Sequence, residues 1–131
     1  MKHRRFLKPA AGLAASLLLV AGTPAAGHAD IQYNRDIRPI LSENCFACHG
    51  ADSAARKAGL RLDYFENATN KLESGLAAIV PGQPDKSELV RRIFLTDDEQ
   101  MPPEKIHKTL KPLQTEMLKK WIAAGANYEP H

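Results

Sequence analysis

The chain has 131 residues with 18 Lys/Arg against 15 Asp/Glu, a formal net charge of +3. That length fits one domain rather than several. The positive balance does not imply a nucleic-acid partner, because four of the basic residues stand in the first eight positions and no acid occurs in the first 29.

Residues 1–29 read as a secretory signal peptide, and 30–131 as the mature domain. Lys2, Arg4, Arg5 and Lys8 form a positive leading region, Ala10 to Gly22 an apolar stretch, and Gly27-His28-Ala29 a small-residue cleavage site before Asp30. The apolar stretch is 13 residues long, short of the roughly 20 needed for a spanning helix. No membrane span is expected after cleavage, and an uncleaved anchor is the alternative. With no cysteine near the cleavage point, a lipid anchor is not expected. Arg4-Arg5-Phe6-Leu7-Lys8 departs from a twin-arginine signal, so the general secretory route into the periplasm or an equivalent extracytoplasmic space is expected. Removing four of the 18 basic residues leaves 14 against 15 acidic ones, a mature charge of −1. Residues 30–100 hold 9 basic and 12 acidic side chains, and 101–131 hold 5 and 3. Such a dipole can orient a redox partner or belong to an ordinary solvated surface.

The first helix is expected over Asn34 to Asn44, with Ile37, Ile40, Leu41 and Cys45 on one face. Asn34 or Asp36 can cap it; Pro39 is tolerated only in the first turn, which favours the later cap.

The helix leads into Cys45-Phe46-Ala47-Cys48-His49, and these are the only two cysteines. C-x-x-C-H is the pattern for covalent haem attachment. Two thiols at this spacing can each add to one porphyrin vinyl group, and the adjacent His49 then becomes an axial ligand of the iron. The rivals are weaker. A thioredoxin-type disulfide would not need the histidine and would sit in a βαβ pattern. Zinc would need a second pair of soft ligands, which His107 and His131 do not supply convincingly. A structural disulfide closing so small a loop stabilises little. Outside the cytoplasm a free pair would oxidise. A domain of about 100 residues buries limited apolar surface, so haem c would fill its centre and the apoprotein is expected to be poorly folded.

Residues 50–83 read as loop and short helix punctuated by glycine and proline. Within them Leu60-Arg61-Leu62-Asp63 alternates as a short extended piece. Its leucines are expected against the ring edge, with Arg61 facing a propionate or solvent. Asp85-Lys86-Ser87-Glu88 has a capping-box pattern with Asp85 as cap, and the helix it starts should fail by Asp97-Asp98. The last helix begins near Pro112, carries Leu113, Met117, Leu118, Trp121 and Ile122 as an apolar stripe, and ends at Gly125. No strand-rich stretch is present, so the fold is expected to be all-α.

Candidates for the second axial ligand are Met101, Met117, His107 and His131, together with the lysine amines. Met117 lies in the apolar stripe, where core filling is the stronger reading. Met101 stands in the polar Asp98-Glu99-Gln100-Met101-Pro102-Pro103, where a thioether has no packing reason and two prolines stiffen the backbone. It is preferred over His107. Phe46, Phe94 and Trp121 are candidate haem-packing aromatics, with core packing as the alternative.

The order of helix, C-x-x-C-H, Met-Pro loop and amphipathic C-terminal helix resembles class I cytochrome c. Tyr33 through Gly50 is more closely similar to the planctomycete-type cytochrome c domain. Arg56 to Asp63, Ile79-Val80-Pro81-Gly82 through Ser87-Glu88-Leu89, Met101-Pro102-Pro103 and Leu118 to Ala126 extend the likeness. The resemblance implies three to five helices around one haem c held by Cys45 and Cys48, with His49 as proximal and Met101 as distal iron ligand. With both faces of the iron closed, the chain is expected to be an outer-sphere electron carrier with no catalytic constellation, a monomer working with a protein redox partner. In that family the domain commonly fronts a longer protein. Ending at Glu129-Pro130-His131 fits either a stand-alone carrier or a shortened form. The alternative function is a haem-based sensor or redox docking module with a labile distal ligand, serving a separate enzyme or a longer multidomain protein.

Overall fold

The structure, a computed structural model, describes residues 30–130. The signal segment 1–29 and the candidate ligand His131 lie outside the described residues. Within them the chain forms five α-helices and no strand; one isolated bridge joins Lys71 and Ala77. No helix among these residues is long and apolar enough to cross a membrane.

The first helical run has two parts. A π-helical turn over Tyr33–Ile37 leads directly into α1, Arg38–Asn44, and the Arg38 N–H reaches five residues back to the Tyr33 carbonyl. Pro39 explains the wide turn, because it has no N–H to offer Arg35 and its ring would crowd that carbonyl in a regular helix. Ile37, Ile40 and Leu41 are buried as their spacing demanded.

Neither expected cap forms. Asp36 instead accepts the Gln32 N–H at 2.9 Å. The free N–H groups of Tyr33 and Asn34 donate to the Glu129 carboxylate at 3.0 and 3.3 Å, so the start of the run is capped from the other end of the chain. Local sequence could not disclose a cap 95 residues away. Glu129→Ala should therefore lower stability by about 1 kcal/mol, the usual cost of a lost N-cap, read as a fall in the urea midpoint. A midpoint unchanged from the parent protein would show that the carboxylate does not cap.

α5, Pro112–Ala123, packs against the π turn and against α4, Glu88–Ile93. Its end is a Schellman arrangement: Ala126 N–H bonds to Trp121 O and Gly125 N–H to Ile122 O, with Gly125 at φ +111°. Leu118, Trp121 and Ile122 are buried, whereas Leu113, expected in the same stripe, is exposed in the first turn. Trp121, Tyr33 and Tyr128 form one aromatic cluster with ring centroids 4.5–5.7 Å apart. The Trp121 indole donates to Asn127 O and the Tyr128 hydroxyl to Leu62 O. Burial raises the Tyr33 hydroxyl to about 12 and pushes Tyr128 further up, so both hydroxyls stay neutral.

α4 stops at Ile93, before Asp97-Asp98. Its start corrects the sequence reading. Asp85 lies in a 3-10 turn over Pro84–Lys86, and Ser87 occupies the cap position. The Ser87 hydroxyl faces inward rather than toward the helix: it accepts from Val80 N–H at 2.8 Å and donates to Gln83 O at 3.0 Å. Tying the preceding loop is worth more to this buried hydroxyl than satisfying a helix end that water can reach.

Candidate functional site: one cavity around the cysteine-histidine motif

Cys45 ends α1, and Phe46–His49 forms a single turn, α2. The Cys45 carbonyl accepts both Cys48 N–H and His49 N–H, at 3.1 and 2.8 Å. A three-residue interval in this conformation puts the two sulfurs on one side of the turn. Both are free thiols. Burial pushes the Cys45 thiol up to about 12, with Lys108 opposing, so it is neutral.

Gly50 must follow His49 for a steric reason. A Cβ there would stand 2.3 Å from Phe46 O. The chain then folds back over the motif: Lys57 N–H bonds to Cys48 O and Leu62 N–H to His49 O, both at 2.8 Å. The Arg56 guanidinium donates to the carbonyls of Gly50 and Ala51. His49 is thereby fixed through its backbone, while its Nδ1 is buried with no hydrogen-bond partner among the described residues. Burial lowers the His49 pKa; the Lys57 backbone opposes this in part, and Arg92 adds to it.

Cys45, Cys48, His49 and Met101 border the same cavity of about 540 Å³. That volume is in the range of small-molecule and cofactor sites. Its walls are aliphatic, with Leu60, Leu62, Leu72, Leu89, Ile93 and Ile106 among them. Leu60 and Leu62 thus stand where the alternation put them. Arg61 between them does not border the cavity, and its side chain is 33% exposed. It makes a two-pronged pair with Asp63 at 2.6 and 3.1 Å and lies 5.5 Å from the Tyr64 ring centre. This pair holds the Asp63 carboxyl below its ordinary pKa.

Of the two readings open for the aromatics, core packing is the one that Phe46 and Trp121 follow. Phe46, Phe94 and Trp121 do not line the cavity. Trp121 belongs to the tyrosine cluster, Phe46 packs on the core, and Phe94 is exposed beside Lys119. An aromatic in a small domain has a core to fill as readily as a ring to cover, and residue type alone does not separate the two.

Met101 is half-buried in the wall, its N–H bonded to Arg92 O at 3.0 Å, and the Met101–Pro102 peptide is cis. Met117 packs against the core and His107 is exposed; neither borders the cavity. Five charged side chains also reach the wall: Lys57, Arg92 and Lys105 against Glu73 and Glu88. The sequence reading put Leu89, Ile93 and the stem of Arg92 on one helix face but assigned no place at the cavity to Leu72, Lys57, Glu73 or Lys105. Arg91 and Arg92 hold the Glu88 carboxyl below its usual pKa.

The donors fit haem c: two free thiols on one turn, a half-buried imidazole whose buried Nδ1 has no partner, and a thioether, on a largely apolar cavity of cofactor size. Neither among curated proteins nor among solved structures does the chain find a match. Residues 45–105 match the family described as planctomycete cytochrome C. That stretch runs from the first cysteine through α4 to the Met101 loop, so this part of the chain is similar to planctomycete cytochrome c domains, a likeness that points to haem-based electron transfer.

Proposed function

We propose that the chain is an exported monohaem c-type cytochrome that carries electrons by outer-sphere transfer and is not itself an enzyme. In this reading Cys45 and Cys48 hold haem c through thioethers, His49 is the proximal ligand and Met101 the distal one. The observation that carries it is the convergence of all four side chains, from positions 45 to 101, on one apolar cavity.

The bound haem supplies a one-electron ferric/ferrous couple. The protein's own work is to orient, enclose and tune. Backbone bonds from Leu62 and to Cys45 fix His49 before any ligand arrives, which limits the rearrangement needed on a change of iron charge. Leu60, Leu62, Leu72, Leu89 and Ile93 exclude water, and a thioether opposite the imidazole favours the reduced state. An iron held by both His49 and Met101 would have no position left for a substrate, which is the ground for a carrier. Residues 1–29 are read as the export signal, delivering a monomer to the periplasm or an equivalent space.

The test is to express the full chain with a haem-attachment system in an exporting host. One haem per polypeptide should stay with the chain through acid-acetone extraction, and the secreted product should begin at Asp30. Haem that is extracted freely, or a ratio other than one, would overturn the monohaem c reading.

A further inference from the structure

We propose that Arg92, braced by Glu88, is the positioning residue that holds Met101 at the cavity. The inference rests on Met101 being the distal ligand.

Residues 94–100 join α4 to Met101 without an α-helix. What ties this connection down is the last turn of α4. Arg92 O accepts the Met101 N–H at 3.0 Å, and Arg92 Nη1 donates to Glu99 O at 3.3 Å. One residue thus grips the loop through both main chain and side chain. Its guanidinium is set by Glu88 one turn earlier, with Arg92 Nε to Glu88 Oε1 at 2.8 Å. Glu88 also receives Arg91 at 2.7 and 2.9 Å, and Arg91 Nη1 reaches Glu99 Oε2 at 2.8 Å.

The two arms of this network differ in weight. Arg91 and Glu99 are 44% and 52% exposed, so their pair is screened by water and contributes little. Glu88 is 13% exposed and Arg92 31%, and both face the cavity beside Met101. A charge-assisted bond in that setting is the stronger one. The guanidinium serves Glu88 and Glu99 O at once from two nitrogens in one plane. A lysine ammonium retains the charge and not the fork. The arrangement therefore separates geometry from charge.

The test uses the haem-loaded protein, with Arg92→Lys and Glu88→Gln as variants, Met101→Ala as reference and Glu129→Ala as a control for general loss of stability. In the parent, the ferric form should show the weak far-red band of thioether-ligated haem, absent in Met101→Ala. Both clamp variants should weaken that band and speed carbon monoxide binding to the ferrous form by roughly tenfold, for loss of one charge-assisted bond. They should also speed exchange of the Met101 amide, which does not depend on the haem spectrum. Glu129→Ala should lower the unfolding midpoint and leave all three readouts alone.

A band and a Met101 amide unchanged in both variants would overturn the clamp while leaving the ligand reading intact. A changed potential in Arg92→Lys alone, with band and amide unaltered, would make the guanidinium a charge at the cavity and not a clamp. A parent without the band would remove the ligand reading and the clamp together. A variant too unstable to load is replaced by Arg92→Gln, which removes the bond to Glu88 and leaves the Arg92 main chain in place. There too the band should weaken and the Met101 amide exchange faster, and both unchanged would overturn the clamp.

Discussion

Met101→Ala is expected to open one face of the haem iron. The far-red band of the ferric protein should vanish, and the ferrous protein should bind carbon monoxide fully at neutral pH. The reduction potential should fall by on the order of 0.1–0.2 V, a fraction of the roughly 0.8 V that axial ligation spans. Packing alone does not generate this pattern. Met101 is half-buried, so its truncation costs less than the 2–5 kcal/mol typical of a fully buried methionine, and a pure packing role would lower stability with the spectrum intact. Met101→Leu separates the two contributions, since it keeps the volume and discards the thioether. It should behave as Met101→Ala in the spectrum and nearly as the parent in stability. Met117→Leu should change neither property much, because Met117 packs on the core away from the cavity. A band that survives in Met101→Ala and disappears in Met117→Leu would exchange the roles of the two methionines.

The motif, the last helix and the C-terminal end of α4 were legible because they are written in local spacing. Two thiols three apart, a proline at a helix start and a glycine after a helix end have the same meaning wherever they occur. What could not be read was anything decided by distant partners. Glu129 caps the first helical run in place of Asn34 or Asp36, and the connection exists only after α5 has brought residue 129 beside residue 33. Ser87 turns inward because Val80 and Gln83 lie there. Trp121 is a core residue rather than a cavity wall because Tyr33 and Tyr128 already surround it. Arg61 fails as a cavity cation because Asp63, two residues on, captures both its prongs. Arg92 reaches the wall together with Leu89 and Ile93, from the one face of α4 that periodicity gave them. Periodicity thus located the elements, while side-chain roles depended on which elements met.

Cys45→Ser combined with Cys48→Ser should leave a chain that loses cooperative folding when produced without haem. The magnitude follows from the cavity. An empty apolar space costs about 24 cal/mol per Å³, which for about 540 Å³ is ~13 kcal/mol. This cavity opens to solvent and can partly collapse, so the figure is an upper bound; even half of it matches the 5–15 kcal/mol by which domains of this size are stable at all. The loss should also be uneven. Ile37, Leu41, Leu118, Ile122 and the Tyr33–Trp121–Tyr128 cluster pack without help from the cavity, so α1 and α5 should keep measurable amide protection. α4 and the loop to Met101 have Leu89, Ile93 and Met101 turned to the empty space, and their amides should exchange freely. Circular dichroism should show reduced helix with a broad thermal transition, and hydrogen exchange should show protection confined to the α1–α5 half. A double variant that melts sharply and protects α4 as well as α5 would mean that the aromatic half holds the fold by itself, and haem would then be a passenger in the cavity rather than its core.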